Sequence, residues 1–146
     1  MHKVQRSVLV PFSAAQMFDL VAAVDKYPEF MPWCGGAEVL SRTDETMRAS
    51  ISISFAGLRQ TFTTHNTHEY PSSIHLSLVD GPFSSLEGHW RFQPLGDEEA
   101  CKVLFTMEYA FSNRGLEMLV GPVFNRIATS FIDAFTQRAE QLYGAR

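Results

Sequence analysis

The C-terminal stretch constrains the fold most. Phe124, Ile127, Ala128, Phe131, Ile132, Phe135, Ala139 and Leu142 recur at helical spacing, with Asn125, Arg126, Thr129, Ser130, Asp133, Gln137, Glu140 and Gln141 between them. This pattern predicts an amphipathic helix with a broad apolar stripe. From about Leu116 to Tyr143 it would extend roughly 40 Å at 1.5 Å per residue. Gly121-Pro122 interrupts it, and a proline without an amide proton predicts a kink or restart there. A stripe of this width has to be covered by another element, and the preceding residues supply sheet.

From Glu38 onward the hydrophobic period is two. Ser50–Phe55 and Ser73–Leu78 alternate apolar with polar residues, and Leu86–Phe92 does the same with Gly88 as its weak position. Val103, Phe105, Met107, Tyr109 and Phe111 share one face of a last strand. Such alternation means one buried face and one wet face. The intervening turn signals, Ala56-Gly57, Tyr70-Pro71-Ser72, Asp80-Gly81-Pro82 and Leu95-Gly96-Asp97, are short and predict an antiparallel sheet. Before it come a strand from about Lys3 to Val10 and a helix running to about Ala23. Ser13 and Gln16 form a capping box for that helix, with Phe12 and Met17 spaced as a hydrophobic staple. A second short helix is expected from Asp25 to before Pro32, whose ring does not fit a helix interior. The sum is an α+β domain: a curved antiparallel sheet wrapped around a long C-terminal helix, with two short helices after the first strand.

At 146 residues the chain reads as one domain over 1–146. Its basic residues are scattered and its net charge is -4, which argues against a phosphate-facing, DNA-binding surface. No apolar run approaches the ~20 residues of a membrane span. The N-terminus leads straight into a strand pattern, so a cytoplasmic protein with at most transient membrane contact is expected. Cys34 and Cys101 are expected to be free and buried.

Signals for catalysis are sparse. His65 and His68 would point to opposite faces of a strand, so their spacing does not chelate a metal. There is no phosphate-binding glycine loop and no nucleophile elbow. One strand breaks the apolar rule: the face of Phe62 also carries Gln60, Thr64, Asn66, His68 and Tyr70. If that face points inward, Thr64, Asn66 and His68, with Tyr109, place polar groups in an apolar chamber, as small-molecule pockets do. If a bulge turns it outward, those groups are simply solvated. The expected apolar lining is Phe30 and Trp33 from the Tyr27–Cys34 corner, then Phe62, Leu76, Leu78, Phe83, Trp90, Phe92 and Phe105 from the strands, and Phe124, Ile127 and Phe131 from the helix. Phe83 can also be read as the exposed ring of a mobile hairpin flap. The base rate for buried residues favours reading each of these aromatics as ordinary core.

Several ordered motifs carry a family resemblance. They are Pro11-Phe12-Ser13-Ala14-x-Gln16-Met17, Tyr27-Pro28-x-Phe30-x-Pro32-Trp33-Cys34, Asp80-Gly81-Pro82-Phe83, Leu86-x-Gly88-x-Trp90-x-Phe92 and Ala134-Phe135-x-x-Arg138-Ala139. In this order, over nearly the whole chain, they resemble the coenzyme Q-binding and RatA (ribosome association toxin) family of the START-like, polyketide-cyclase-like superfamily. The resemblance implies a helix-grip START-like fold, an apolar tunnel, and ubiquinone or a similar prenylquinone lipid as bound ligand in support of respiration. No other cofactor is implied. Its bacterial branch implies an alternative: binding the large (50S) ribosomal subunit and blocking 70S assembly. A polyketide cyclase or aromatase activity is the third reading, with His68 and Tyr109 as its acid–base candidates. No matched motif residue is a catalytic group with a defined role, so a binder rather than an enzyme is expected.

Overall fold

The computed structural model describes residues 2–55, 57–96 and 99–144. Ala56 and Asp97, each assigned above to a turn, lie outside the described residues. The first strand, β1, runs His2–Val10, followed by helix α1, Ala14–Ala22, and a 3-10 helix, Val24–Glu29. Six strands follow: β2 Cys34–Arg42, β3 Thr46–Phe55, β4 Leu58–Glu69, β5 Ser73–Asp80, β6 Phe83–Leu95 and β7 Ala100–Phe111. Helix α2, Arg114–Ala139, closes the chain with a π turn, Glu140–Gly144.

The strands form one antiparallel sheet in the order β1-β7-β6-β5-β4-β3-β2. After β1 the chain crosses through α1 and the 3-10 helix to the far edge of the sheet, then meanders back strand by strand. The helix-grip architecture expected from the two hydrophobic periods is the observed one.

Local chemistry accounts for the elements. The Ser13 hydroxyl accepts the Gln16 amide at 3.1 Å, and the Gln16 side chain accepts the Ser13 amide at 2.9 Å, which is the capping box. The second short helix is 3-10 rather than α and holds Pro28 inside it. Tight 3-10 turns suit short connectors, which explains how the proline is accommodated.

Helix α2 runs unbroken through Gly121-Pro122, so the expected restart does not occur. Pro122 lies on the solvent side with Met118, so the carbonyl deprived of its amide partner is on the wet face of the helix. Asn113 caps the helix start by accepting the Leu116 amide at 2.8 Å.

The Asp80–Phe83 connection is a hairpin, as its residues indicate, but Phe83 is not an exposed flap. Its ring is only 5% exposed and packs on Phe62, Phe111 and Phe124. Gly81 makes this possible. Its φ is +149°, and a Cβ there would stand 2.6 Å from the Phe62 Cβ. Only glycine lets the turn lie this close to β4.

Cys34 and Cys101 are free and buried. Burial pushes the Cys101 thiol up to about 11 and raises that of Cys34, so both sulfurs are packing groups rather than nucleophiles.

Candidate ligand cavity

The inner face of the sheet, the helical corner and α2 enclose a cavity of about 50 Å³. That space accommodates a few waters. Val21, Ala22, Val24 and Tyr27 form the corner wall. Ala49 and Ile51 of β3, Ile74 and Leu76 of β5, Leu86 and Trp90 of β6, and Met107 of β7 form the floor. Phe131 and Phe135 of α2 form the roof. From β4 come Phe62, Thr64, Asn66 and His68.

The polar strand therefore faces inward. A bulge does occur beside it, between Thr63 and Thr64 in the pairing with β5. The extra residue, Val79, belongs to β5, so the alternation of β4 is undisturbed. Thr64 and Asn66 are 5% and 3% exposed.

The hydrogen-bonding capacity of these residues is only partly used. The Thr64 hydroxyl donates to the Asn66 Oδ1 at 2.8 Å. The Asn66 amide nitrogen has no partner among the described residues. The His68 Nε2 is buried and has none either. Buried polar groups are normally paired, so the buried His68 Nε2, with the Asn66 amide on the same strand face, calls for an explanation. His68 also meets the Phe18 ring edge-on at 5.5 Å. Burial, and then the nearby Arg42 charge, hold its pKa below the usual imidazole range, so it is neutral near pH 7. No Lys, Arg, Asp or Glu lines the cavity. The site suits a neutral, apolar molecule with a hydrogen-bonding head.

Of the expected site residues, Phe62, Thr64, Asn66, His68, Leu76, Trp90 and Phe131 meet at this cavity. The others are placed elsewhere. Tyr109 lies away from it, donating a hydrogen bond to Asn125 Oδ1 at 3.1 Å and stacked under His2. Burial raises its phenol pKa. Phe83, Phe124 and Tyr109 form an aromatic cluster that fills the sheet–helix interface there. Phe105 and Phe92 pack against Trp90, behind the cavity wall. Ile127 is buried in core, and Leu78 sits half-buried where β5 bulges. Trp33 packs on Phe131, at 5.6 Å between rings, and Phe30 on Tyr27 and Phe135. These two support the roof and wall from outside.

The corner missed by simple alternation is Tyr27. Its hydroxyl donates to the Val21 carbonyl, which fastens the 3-10 helix to α1. Arg138 explains the motif near the chain's end: its guanidinium bonds Glu29 at 2.8 Å and lies 5.1 Å over the Phe30 ring. Among the described residues no group of three His, Cys, Asp or Glu side chains is placed to hold a metal. Among the described residues no helix is long and apolar enough to cross a membrane.

Comparison with known proteins agrees with this architecture. Residues 10–136 match the family described as polyketide cyclase / dehydrase and lipid transport. A Vibrio cholerae protein named ribosome association toxin RatA is 49% identical, over 99% of both chains. The mitochondrial coenzyme Q-binding protein COQ10 homolog B of Xenopus laevis is 28% identical, over 94% of this chain and 58% of its own. Among solved structures, the Zhui aromatase/cyclase of Streptomyces sp. R1128 superposes with a TM-score of 0.82 at 19% identity, over 96% of this chain and 94% of that one. With the sheet order, the gripped helix and the corner motif in place, the chain has a START-like fold and belongs to the polyketide cyclase / dehydrase and lipid transport family, among the relatives named ribosome association toxin RatA.

Proposed function

We propose that this protein binds a neutral prenylquinone-like lipid in the cytoplasm and holds it without transforming it. One observation carries the reading: the Asn66 amide and His68 Nε2 stand unpartnered on the wall of an otherwise apolar cavity. The head group's oxygens satisfy these two, and the tail replaces packing between sheet and α2. Each buried methylene contributes about 0.8 kcal/mol, so a prenyl chain supplies ample driving force. A cavity of about 50 Å³ takes only the head and its nearest carbons. The roof of α2 and the Tyr27 corner therefore separate as the tail enters.

Binding is favoured over catalysis because the acid–base pair is not assembled. Tyr109 is occupied with Asn125, outside the cavity that His68 lines. General acid–base work needs both groups within reach of one substrate. The test is purification from the native host, organic extraction and mass spectrometry. Stoichiometric prenylquinone is the expected result. A lipid-free protein whose melting temperature is unmoved by added ubiquinone would refute the reading.

A second reading, binding to the large ribosomal subunit, rests on the full-length likeness to a protein named ribosome association toxin. The distribution of charge weighs against extensive contact with RNA. Lys3, Arg48, Arg59, Arg91 and Lys102 lie on the outer sheet face, while Arg6, Lys26, Arg114, Arg126 and Arg138 belong to the helical side. Co-sedimentation with large-subunit particles that survives moderate salt is the result this reading requires; its absence ends it.

A further inference from the structure

The cavity adjoins a second space near the end of α1. A groove of about 460 Å³ runs between the end of α1 and the β2–β3 hairpin. Asp19 and Asp25 edge it on the helical side, and Arg42 and Asp44 on the hairpin side. Ala22 and His68 line both this groove and the internal cavity. Met107 also borders two spaces, but there the second lies on the outer face, with the hydrogen-bonded sheet between. At Ala22 and His68 no strand intervenes. In this partition Ala22 and His68 are the side chains that border both spaces, with Met47 beside them on the groove side.

The backbone on the sheet side of this partition is fixed. The His68 amide donates to the Glu45 carbonyl at 2.7 Å, and His68 pairs with Ile74 of β5. The imidazole is not held in the same way: its Nε2 has no partner, and its Phe18 contact is ring edge to ring face. The ring can rotate without breaking a side-chain hydrogen bond, whereas the strand beneath it cannot shift without breaking the sheet.

We propose that the Ala22–His68 partition is the doorway through which the ligand passes, with the His68 ring as its moving leaf. This rests on the lipid-binding reading and adds the route. An amphiphile arriving with its polar head toward the groove finds polar partners outside, then His68 and Asn66 in succession inside. The two residues are on the same face of β4, about 7 Å apart along the strand. The head is handed inward with little time unbonded.

Two variants test the doorway in a Trp33→Phe background, where Trp90 on the cavity wall is the remaining indole. His68→Ala opens the partition and Ala22→Leu fills it. Acrylamide quenching of Trp90 reports access to the cavity by a small neutral probe, whatever the natural ligand is. His68→Ala is expected to raise the quenching constant at least twofold and Ala22→Leu to lower it. Stopped-flow binding of a short-chain ubiquinone then reads the route. Ala22→Leu should slow association by about tenfold, and His68→Ala should speed it. Quinone association unchanged in both variants overturns the doorway while the lipid reading stands. Quenching that responds as expected, with no quinone binding at any concentration, supports the doorway and removes the quinone reading. Quenching unchanged in both variants overturns the doorway outright.

Discussion

Replacing the polar pair on β4 separates its cost to the fold from its use. Consider Thr64→Val with Asn66→Leu. The Thr64–Asn66 hydrogen bond contributes about 1 kcal/mol net, while an amide nitrogen without a protein partner, in a residue only 3% exposed, costs up to about 1–3 kcal/mol. The double replacement forfeits the first and recovers the second. The leucine also places apolar carbon against a cavity of about 50 Å³ that can receive it, a gain of about 1 kcal/mol. The expected sum is a stabilisation of about 1–3 kcal/mol. For a chain of this length that raises the melting temperature by about 3–9 °C. Asn66→Leu alone should gain less, because the Thr64 hydroxyl then loses its acceptor. Thermal unfolding by circular dichroism reads the stability, and titration with a short-chain ubiquinone reads binding, which the double variant should lose by at least tenfold. A stable pair of buried polar groups kept at a cost is the mark of a ligand site rather than of core. A ligand-free double variant that melts lower than the parent would refute the reasoning, because the pair would then serve the fold.

Two further outcomes follow from the same geometry. Gly81→Ala should destabilise by about 2–3 kcal/mol, because it combines an unfavourable backbone conformation with overpacking. The new Cβ meets Phe62 at 2.6 Å, and a drop in the urea midpoint at unchanged slope is the expected reading. His68 gives a pH dependence of definite sign: its folded pKa is lowered, so below the unfolded value of about 6.5 the unfolded chain takes up a proton the folded one resists. Stability should therefore fall as pH drops from about 6.5 toward the folded pKa, and His68→Phe should flatten part of that slope. His89, also lowered by burial first and then by Arg91, contributes in the same sense; a slope identical in parent and variant would remove His68 from the account.

Much of the fold was legible because its determinants are local. The period-two runs became strands, the stripe from Phe124 to Ala139 faced the sheet, and Ser13 with Gln16 capped α1. Pro122 does not restart the helix because the proline rule concerns a lost hydrogen bond, and whether that loss matters depends on which side of the helix meets water. The polar face of β4 was visible as a departure from pattern, and the structure places it inward. The rest of the site was not legible for one physical reason. Alternation says which residues point inward, but it does not say where along the sheet the helix stands off rather than packs. Phe83 and Phe124 point inward and are close-packed at 4.9 Å, while Leu86 and Met107, equally inward, border empty space. That distinction is set by how aromatic volume is distributed between sheet and helix, which no single strand encodes. Tyr109 went astray for the same reason, because its neighbour Asn125 comes from a different element.

A small closed cavity and a long ligand are reconciled only if the roof can lift, and one contact is placed to regulate this. Arg138, in the last turn of α2, bonds Glu29 of the corner at 2.8 Å. Tyr27 of that same corner packs against Phe135 of α2 at 5.4 Å, and both rings line the cavity. Separating corner from helix to admit a tail breaks the Arg138–Glu29 pair. Glu29 is half exposed, so water screens the pair and its worth is under about 1 kcal/mol. Arg138→Met keeps an apolar stem over Phe30 and removes the charge. It should lower stability by no more than about 1 kcal/mol, the worth of the screened pair. Affinity for a long-chain quinone should rise by up to about fivefold, since the closed form loses up to about 1 kcal/mol of its advantage. A short-chain quinone, which leaves the corner in place, should bind as before. Equal changes for both chain lengths would mean that the ion pair acts on the head-group site and not on the roof.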